Sequence, residues 1–443
     1  MPVPPALVWQ GGVNRKAWQM SSHEKFNGYR HGRHRYKGHW RSGARPLHWP
    51  QMTASLPPTR TDPPSRTEQA RQIAEPLAAV FRQEAATADR SEQLSAVGVR
   101  AIKASGYPAL TVPARLGGFG ASLHEFAAAQ EVLGRADASL ALVAAMNAHL
   151  LGSVGEAGSW PEEVYAELAR SSVQKGSLSN SLASEPDLGS PSRGGLPSSS
   201  AKRVEGGWRV SGLKTWSTGS EALDFLVVTA AVDGDVWRFV IPRGSEGVQV
   251  QQTWQGSLSL RGSGSHDVKF EDVFVPDRHA LPPAAPLSPV RAASSGAWFW
   301  TAVAATYLGV GQAALDSFVQ YANERVPTAL GASIATLPKI QQAAGQMSLD
   351  LMGARTLLHH LTRRWAAEPG ARPELPPQLA GAKNLCTNAA VRVTDLALRA
   401  AGGAALTAGL PLERYFRDAR AGLTHPPADD QALGLLGKQA LGL

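Results

Sequence analysis

The chain has 443 residues, 43% of them hydrophobic, with one cysteine and a formal net charge of +8. That length supports two or three packed units, and the lone Cys386 excludes an internal disulfide or a thiolate metal cluster, so a reducing, cytoplasmic setting is the default. The charge is concentrated in residues 1–51, which hold nine Lys/Arg and one acidic residue and leave 35 of each sign in the rest, so nucleic-acid binding by the folded body is not expected.

Residues 1–51 also hold five of the twelve His and four of the twelve Trp, with little apolar periodicity. Met52-Thr-Ala-Ser reads as an ordinary start, so residues 1–64 are expected to be a basic, disordered or non-native extension; a targeting peptide or a binding arm are the other readings. No apolar run near 18 residues stands out, and no membrane span is expected. Ser65-Arg-Thr-Glu68 has capping-box spacing, and Ile73, Leu77, Val80 and Phe81 repeat at helical intervals, so the first packed helix begins near residue 66. Helical patterns continue from Ser91 to Lys103, from Ser122 to Arg135 and from Ser139 to Leu151, giving a helical domain over residues 65–180.

Short β-patterned runs follow at Trp208–Ser211, Phe225–Thr229, Val236–Ile241, Val248–Gln251, Asp267–Phe270 and Val273–Val275, punctuated by Gly206-Gly207, Asp233-Gly234 and Glu246-Gly247. They predict an antiparallel β-barrel or sandwich over residues 181–285. After a Pro/Ala linker, Met347, Leu351, Ala354, Leu358, Leu361 and Trp365 keep one face over five turns, and Leu379–Ala401 forms a second long helix stopped at Gly402-Gly403. Residues 286–443 are thus expected to form a four-helix bundle, and the fold class is α+β.

Chemistry concentrates between Ala183 and Thr218. Ser184-Glu-Pro-Asp-Leu-Gly189-Ser190 offers backbone N–H groups and small hydroxyls around a glycine, and the strand ending Trp216-Ser-Thr218 offers an aromatic wall with one hydroxyl. Together they suit a planar heterocycle; a Ser/Pro-rich surface loop beside an ordinary hairpin explains the same residues. Ser-Glu-Pro-x-x-Gly-Ser followed by Gly212-x-Lys-x-Trp-x-Thr218 resembles the flavin-binding strands of the acyl-CoA dehydrogenase superfamily. Three further segments stand in that family's order: Val112-Pro113 to Gly120, Leu260-Arg261 to Pro276, and Gly402-Gly403 with Arg414 to Arg420.

The resemblance implies FAD, or FMN, lying between the β-domain and the bundle of a homodimer or homotetramer. It assigns Ala183 and Ser184 to the flavin's pyrimidine edge, Gly189 and Ser190 to the phosphate or substrate side, and Trp216 and Thr218 to the ring face and N5. Arg325, Arg399 and Gly403 fall where the family contacts the diphosphate; surface ion pairs are the other reading of the two arginines. The usual activity is oxidation of the CH–CH group of an acyl-CoA by hydride transfer to flavin N5, with an electron-transfer flavoprotein as acceptor. Its carboxylate base, nine residues beyond Arg417, would fall on Pro426, and the second known base position falls near Phe299, so neither carries an acid. Asp429 or Asp430 is a displaced candidate. His149 and His425 instead resemble histidines of the flavin-dependent monooxygenase branch typified by dibenzothiophene monooxygenase, which takes reduced flavin from a reductase; a helix histidine and a loop histidine without a role are the alternative. The aromatic trio Trp298–Trp300 suits a flat substrate. A flavin-binding subunit without catalytic activity is the third expectation.

Overall fold

The computed structural model describes residues 64–188, 194–283 and 288–443. Apart from Pro64, the N-terminal extension expected from sequence lies outside the described residues, as do Gly189 and Ser190. Five helices open the described chain: α1 (Arg66–Ser91), α2 (Ala96–Ala104), α3 (Leu123–Ala136), α4 (Ala138–Ala157) and α5 (Glu162–Lys175). Ser65 caps α1 as its spacing predicts, its hydroxyl accepting from the Glu68 N–H at 3.2 Å. The helical pattern read through Ser91 is interrupted, because Glu92 takes a left-handed conformation and Ser95 restarts the chain as the cap of α2. Ser122 and Glu125 form a reciprocal capping box on α3. Asp137 stops α3 and caps α4, accepting from the Leu140 N–H at 2.8 Å, so the two helices turn sharply about one residue. Helix α4 is long and apolar enough to cross a membrane, yet 94% of its most apolar window is buried inside the protein, as a core helix requires.

The central domain is one eight-stranded sheet with the order β6-β7-β3-β2-β4-β5-β8, and β1 pairs with β4. The strands are β1 (Ser179–Leu182), β2 (Ser200–Val204), β3 (Gly207–Ser217), β4 (Phe225–Val232), β5 (Asp235–Pro242), β6 (Val248–Gln251), β7 (His266–Pro276) and β8 (Ala280–Leu281). Most pairings are antiparallel, as expected, but β1 and β2 run parallel to β4 and make the sheet mixed. The β2–β3 and β4–β5 hairpins follow from tight turns that the sequence shows at Gly206-Gly207 and Asp233-Gly234; β1 reaches β4 only after a long excursion, which turn residues do not announce. The two runs read around Asp272 are one strand, β7, with a register shift against β3 between Val210 and Gly212.

The C-terminal helices are α6 (Pro289–Ala292), α7 (Ser294–Glu324), α8 (Pro338–Ala367), α9 (Pro376–Ala401), α10 (Leu412–Thr424) and α11 (Asp429–Leu441). Every residue of the predicted α8 stripe from Met347 to Trp365 is buried. Two ties join this bundle to the first helices. Glu156 on α4 accepts from Ser294 Oγ at 2.7 Å and Trp298 Nε1 at 2.9 Å, and pairs with Arg372 at 3.0 Å. Helices α3 and α7 also meet backbone to backbone. A methyl built on Gly134 would lie 2.2 Å from the Thr306 carbonyl oxygen, and one on Gly309 would lie 2.5 Å from both the Arg135 nitrogen and the Glu131 carbonyl oxygen.

No side-chain motion relieves a clash with backbone, so Gly309→Ala is expected to cost about 1–3 kcal/mol, read as a lower urea midpoint at unchanged slope. Gly345→Ala on α8, where nothing lies within 4 Å of the added methyl, is the matched control and should be neutral or stabilising.

Candidate functional site

The site begins at the end of β3. A register shift between Lys214 and Ser217 against β7 lifts Trp216 out of the ladder, with φ of 53° and its side chain 60% exposed. The Thr215 N–H donates to the Ser184 carbonyl at 3.0 Å, which lays Ala183 and Ser184 beside the indole. Asn180 on β1 donates to the Thr218 carbonyl at 3.1 Å, and the Thr218 hydroxyl meets Ser265 Oγ at 3.1 Å. The four residues assigned to the ring therefore stand together; Gly189 and Ser190, assigned to the phosphate or substrate side, are outside the described residues.

Beneath them lies a buried ion pair. Lys214 Nζ donates to Glu185 Oε1 at 2.5 Å and to Thr229 Oγ1 at 3.1 Å, and the Glu185 carboxylate also accepts from the Ser198 and Ser199 N–H groups. Burial pushes Glu185 up, but the hydrogen bonds from Lys214 and Ser199 and the ammonium charge outweigh it and hold the carboxyl below its ordinary value. With both carboxylate oxygens engaged, Glu185 fits the structural place that the motif implies for it.

Three buried hydroxyls at this corner, Ser179 on β1 and Thr215 and Ser217 on β3, have no hydrogen-bond partner among the described residues. Unspent donors beside an exposed indole fit a flat cofactor with a polar edge, and a flavin is such a group.

His149 approaches from α4. Two residues earlier, Asn147 accepts from the Ser179 N–H at 2.9 Å and donates to the Pro108 carbonyl, fastening this turn to β1. Residues two apart lie on nearly opposite sides of a helix, so His149 turns to α7, where its ring meets the edge of Phe299 at 5.1 Å between centroids. It is 8% exposed and neither ring nitrogen hydrogen-bonds a described residue. Burial pulls its pKa down to about 3, so it is neutral at pH 7.

His425 follows α10 and sits half-buried against Tyr307, with Nε2 and the phenol oxygen 3.1 Å apart. Burial, and then the charge of Lys383, pull it down to about 4. Phe299 and Tyr307 are eight residues apart on α7, about 12 Å of helical rise, so the histidines meet one helix at separate points. Tyr307 was not singled out from sequence; its signal is its place two turns beyond Phe299 on the same apolar helix.

Asp429 opens α11, where Oδ2 accepts from Asn388 Nδ2 at 3.0 Å and Oδ1 is buried without a hydrogen bond among the described residues. It touches α9 and not the Tyr307–His425 pair. The aromatic trio divides, contrary to the expectation of a common wall: Trp298 stacks on Phe126 at 5.6 Å and donates to Glu156, leaving Phe299 to face His149. Helical geometry forces this, because consecutive residues point about 100° apart. Arg325 caps α7 in the open, Arg399 is exposed and paired with Asp395 one turn away at 2.8 Å, and Gly403 follows α9. None of the three bonds to Ala183, Ser184, Trp216 or Thr218.

Comparison with known proteins returns one family along this chain. Its N-terminal domain model, described as "Acyl-CoA dehydrogenase, N-terminal domain", matches residues 67–160, the middle domain model matches 181–273 and the C-terminal domain model matches 301–429. YdbM of Bacillus subtilis strain 168, which carries an acyl-CoA dehydrogenase name, is 38% identical over 82% of this chain and 94% of its own. Butyryl-CoA dehydrogenase from Megasphaera elsdenii has the same fold, with a TM-score of 0.76 at 20% identity over 86% of this chain and 99% of its own. FMN-bound TdsC from Paenibacillus sp. A11-2 does too, with a TM-score of 0.75 at 24% identity over 84% and 97%.

The depressed histidines make stability depend on pH. In the unfolded chain each titrates near 6.5, so below that pH the unfolded state takes up protons that the folded state refuses until about 4 for His425 and about 3 for His149. Their contribution is complete above pH 6.5 and is lost as pH falls. Asp418, pushed up to about 7 by burial, acts in the opposite sense. The difference between wild type and His149→Phe isolates one site: the variant should lose stability on acidification more shallowly, by up to about 1.4 kcal/mol per pH unit between pH 6 and 4, in urea unfolding series.

Proposed function

The chain belongs to the acyl-CoA dehydrogenase family, and within that family of flavin-dependent oxidoreductases we propose that it is a monooxygenase fed with reduced flavin by a separate reductase. The observation that carries this reading is the pair of neutral imidazoles, His149 and His425, where dehydrogenation requires a carboxylate base. Abstraction of an acidified C–H proton needs a base matched to its task. An imidazole whose pKa lies near 3 or 4 is too weak for that work, but it remains a good hydrogen-bond donor and acceptor in a dry pocket.

Reduced flavin, when bound, supplies two electrons and activates O₂; one oxygen atom enters the substrate and the other leaves as water with two protons. Ala183, Ser184, Trp216 and Thr218 would hold the ring, with the indole covering a face and the strand-end hydroxyls meeting polar edges. His149, packed by Phe299 and bonded to no described residue, orients the reacting oxygen or the substrate. His425 is aimed by Tyr307, whose phenol burial keeps protonated. Where the apolar faces of α4 and α7 exclude water, each of these hydrogen bonds would be strengthened. FAD and FMN both suit the ring seat. A homodimer or homotetramer would bring Arg325, Arg399 and Gly403, which lie away from the ring within one chain, to a neighbour's cofactor.

Dehydrogenation of an acyl-CoA, with an electron-transfer flavoprotein as acceptor, is the second reading. The unpaired Oδ1 of Asp429 favours it, as do the relatives' names. A panel of acyl-CoAs added without oxygen separates the two, since the monooxygenase leaves the oxidised flavin spectrum unchanged and a dehydrogenase bleaches it. In stopped flow, reduced FMN or FAD bound to the protein should react with O₂ and return slowly to oxidised flavin. His149→Ala should hasten that return and raise hydrogen peroxide release by about tenfold or more, at the low end for loss of a positioned donor. Bleaching by an acyl-CoA that Asp429→Asn abolishes would sink the monooxygenase reading.

A further inference from the structure

A second concave site lies away from the flavin corner, where α1, α3 and α8 meet. It is an open cleft of about 590 Å³, large enough for a small ligand. Arg355, His359 and Arg363 present from α8 at four-residue spacing, the interval that stacks side chains on one helical face. Thr67 and Arg71 enter from the first turns of α1, and His124 is the second residue of α3. No carboxylate is among the lining residues.

Only part of the positive charge around the cleft is paired. Glu131 on α3 takes Arg355 Nε at 2.8 Å and His359 Nε2 at 3.0 Å, and Arg355 gives one further bond to Gln312. Arg363 is exposed and makes no ion pair or hydrogen bond with a described residue. Arg71 has only a distant contact with Glu68, at 3.8 Å. His359 is 9% exposed, lines the cleft, and its Nδ1 is buried with no hydrogen-bond partner among the described residues. A buried orphan of this kind calls for a ligand atom or water. His124 stands edge-on to His359 at 5.3 Å; burial, then the charges of His359 and Arg363, pull it down to about 4. Three arginines and no carboxylate thus line the cleft.

We propose that this cleft binds a phosphate-bearing small molecule, with Arg71 and Arg363 as the principal anchors, Thr67 and Arg355 completing the cradle, and His359 Nδ1 accepting from a ligand hydroxyl. Guanidinium forks match the several oxygens of a phosphate dianion better than a single carboxylate does. Helices α1 and α3 both begin at the cleft, so their positive dipole ends add to the same field. His359 gives its Nε2–H to Glu131, which leaves Nδ1 as an acceptor. The site rests on none of the residues assigned to the flavin and is independent of the reaction proposed above.

The test is calorimetric titration of flavin-loaded protein with pyrophosphate at fixed ionic strength, with inorganic phosphate and AMP as parallel probes. Saturable binding of one pyrophosphate per chain is expected, with the flavin spectrum unchanged. Arg363→Gln should weaken it by about tenfold, the loss of one charged contact, and Arg71→Gln with Arg363→Gln by more. Both arginines are exposed, and retained flavin content verifies folding of the variants. AMP binding tighter than phosphate would assign a nucleotide, and equal binding a lone phosphoryl group. Absence of saturable binding, equal affinity in the variants, or release of flavin on titration would each overturn the proposal. So would self-association that Arg363→Gln abolishes, which would mean that carboxylates of a second copy fill the cleft.

Discussion

The approach of α3 to α7 at Gly134 and Gly309 is the constraint on which the site depends. Any side chain at either position would meet backbone, so the helices are held closer than side-chain packing alone permits. Helix α7 carries Phe299 and Tyr307, and α4, hinged on Asp137 from α3, carries His149. One contact therefore sets both the helix that presents the substrate wall and the helix that faces it. Gln130 reinforces the crossing by donating to Thr306 Oγ1 at 2.8 Å and to the Ala141 carbonyl at 2.9 Å, linking α3, α4 and α7 at one buried point.

The sheet contributes the other half by a different principle. Its edge at Trp216 is irregular, and irregular strand ends need internal support. Glu185 and Lys214 supply it: a charge pair with almost no exposure, locked by two backbone N–H groups and a threonine hydroxyl, anchors the loop after β1 to β3. Replacing one partner would strand the other charge in the interior, which is far more damaging than replacing both. The loop from Leu260 to Ser265 then reaches the bundle, where Asp418 accepts from the Leu260 N–H at 2.8 Å. The flavin corner and the helical wall are thereby coupled through hydrogen bonds and not through apolar packing alone.

Chemically, the site is marked by groups that stay neutral. Burial removes charge from His149 and His425 and keeps Tyr307 protonated, so these groups offer directed hydrogen bonds without a strong base. The phosphate cleft is the opposite case, with charge exposed and incompletely paired. The protein keeps its uncompensated cations at the solvent edge, where water carries the cost of charge, and its neutral imidazoles inside.

Local chemistry was enough to read much of this from the chain. The cap at Ser65, the start of a helix at Ser122, the stripe from Met347 to Trp365 and the helix stop at Gly402 each depend on residues within a few positions of one another, so the sequence determines them. The parallel β1–β4 pairing, the division of Trp298 from Phe299, the partnership of His425 with Tyr307 and the meeting of α1, α3 and α8 depend on contacts between residues tens to hundreds of positions apart. Periodicity reports which face of a helix is apolar, but not what that face meets. That is decided when backbones close at Gly134 and Gly309 and the remaining side chains take the directions left to them.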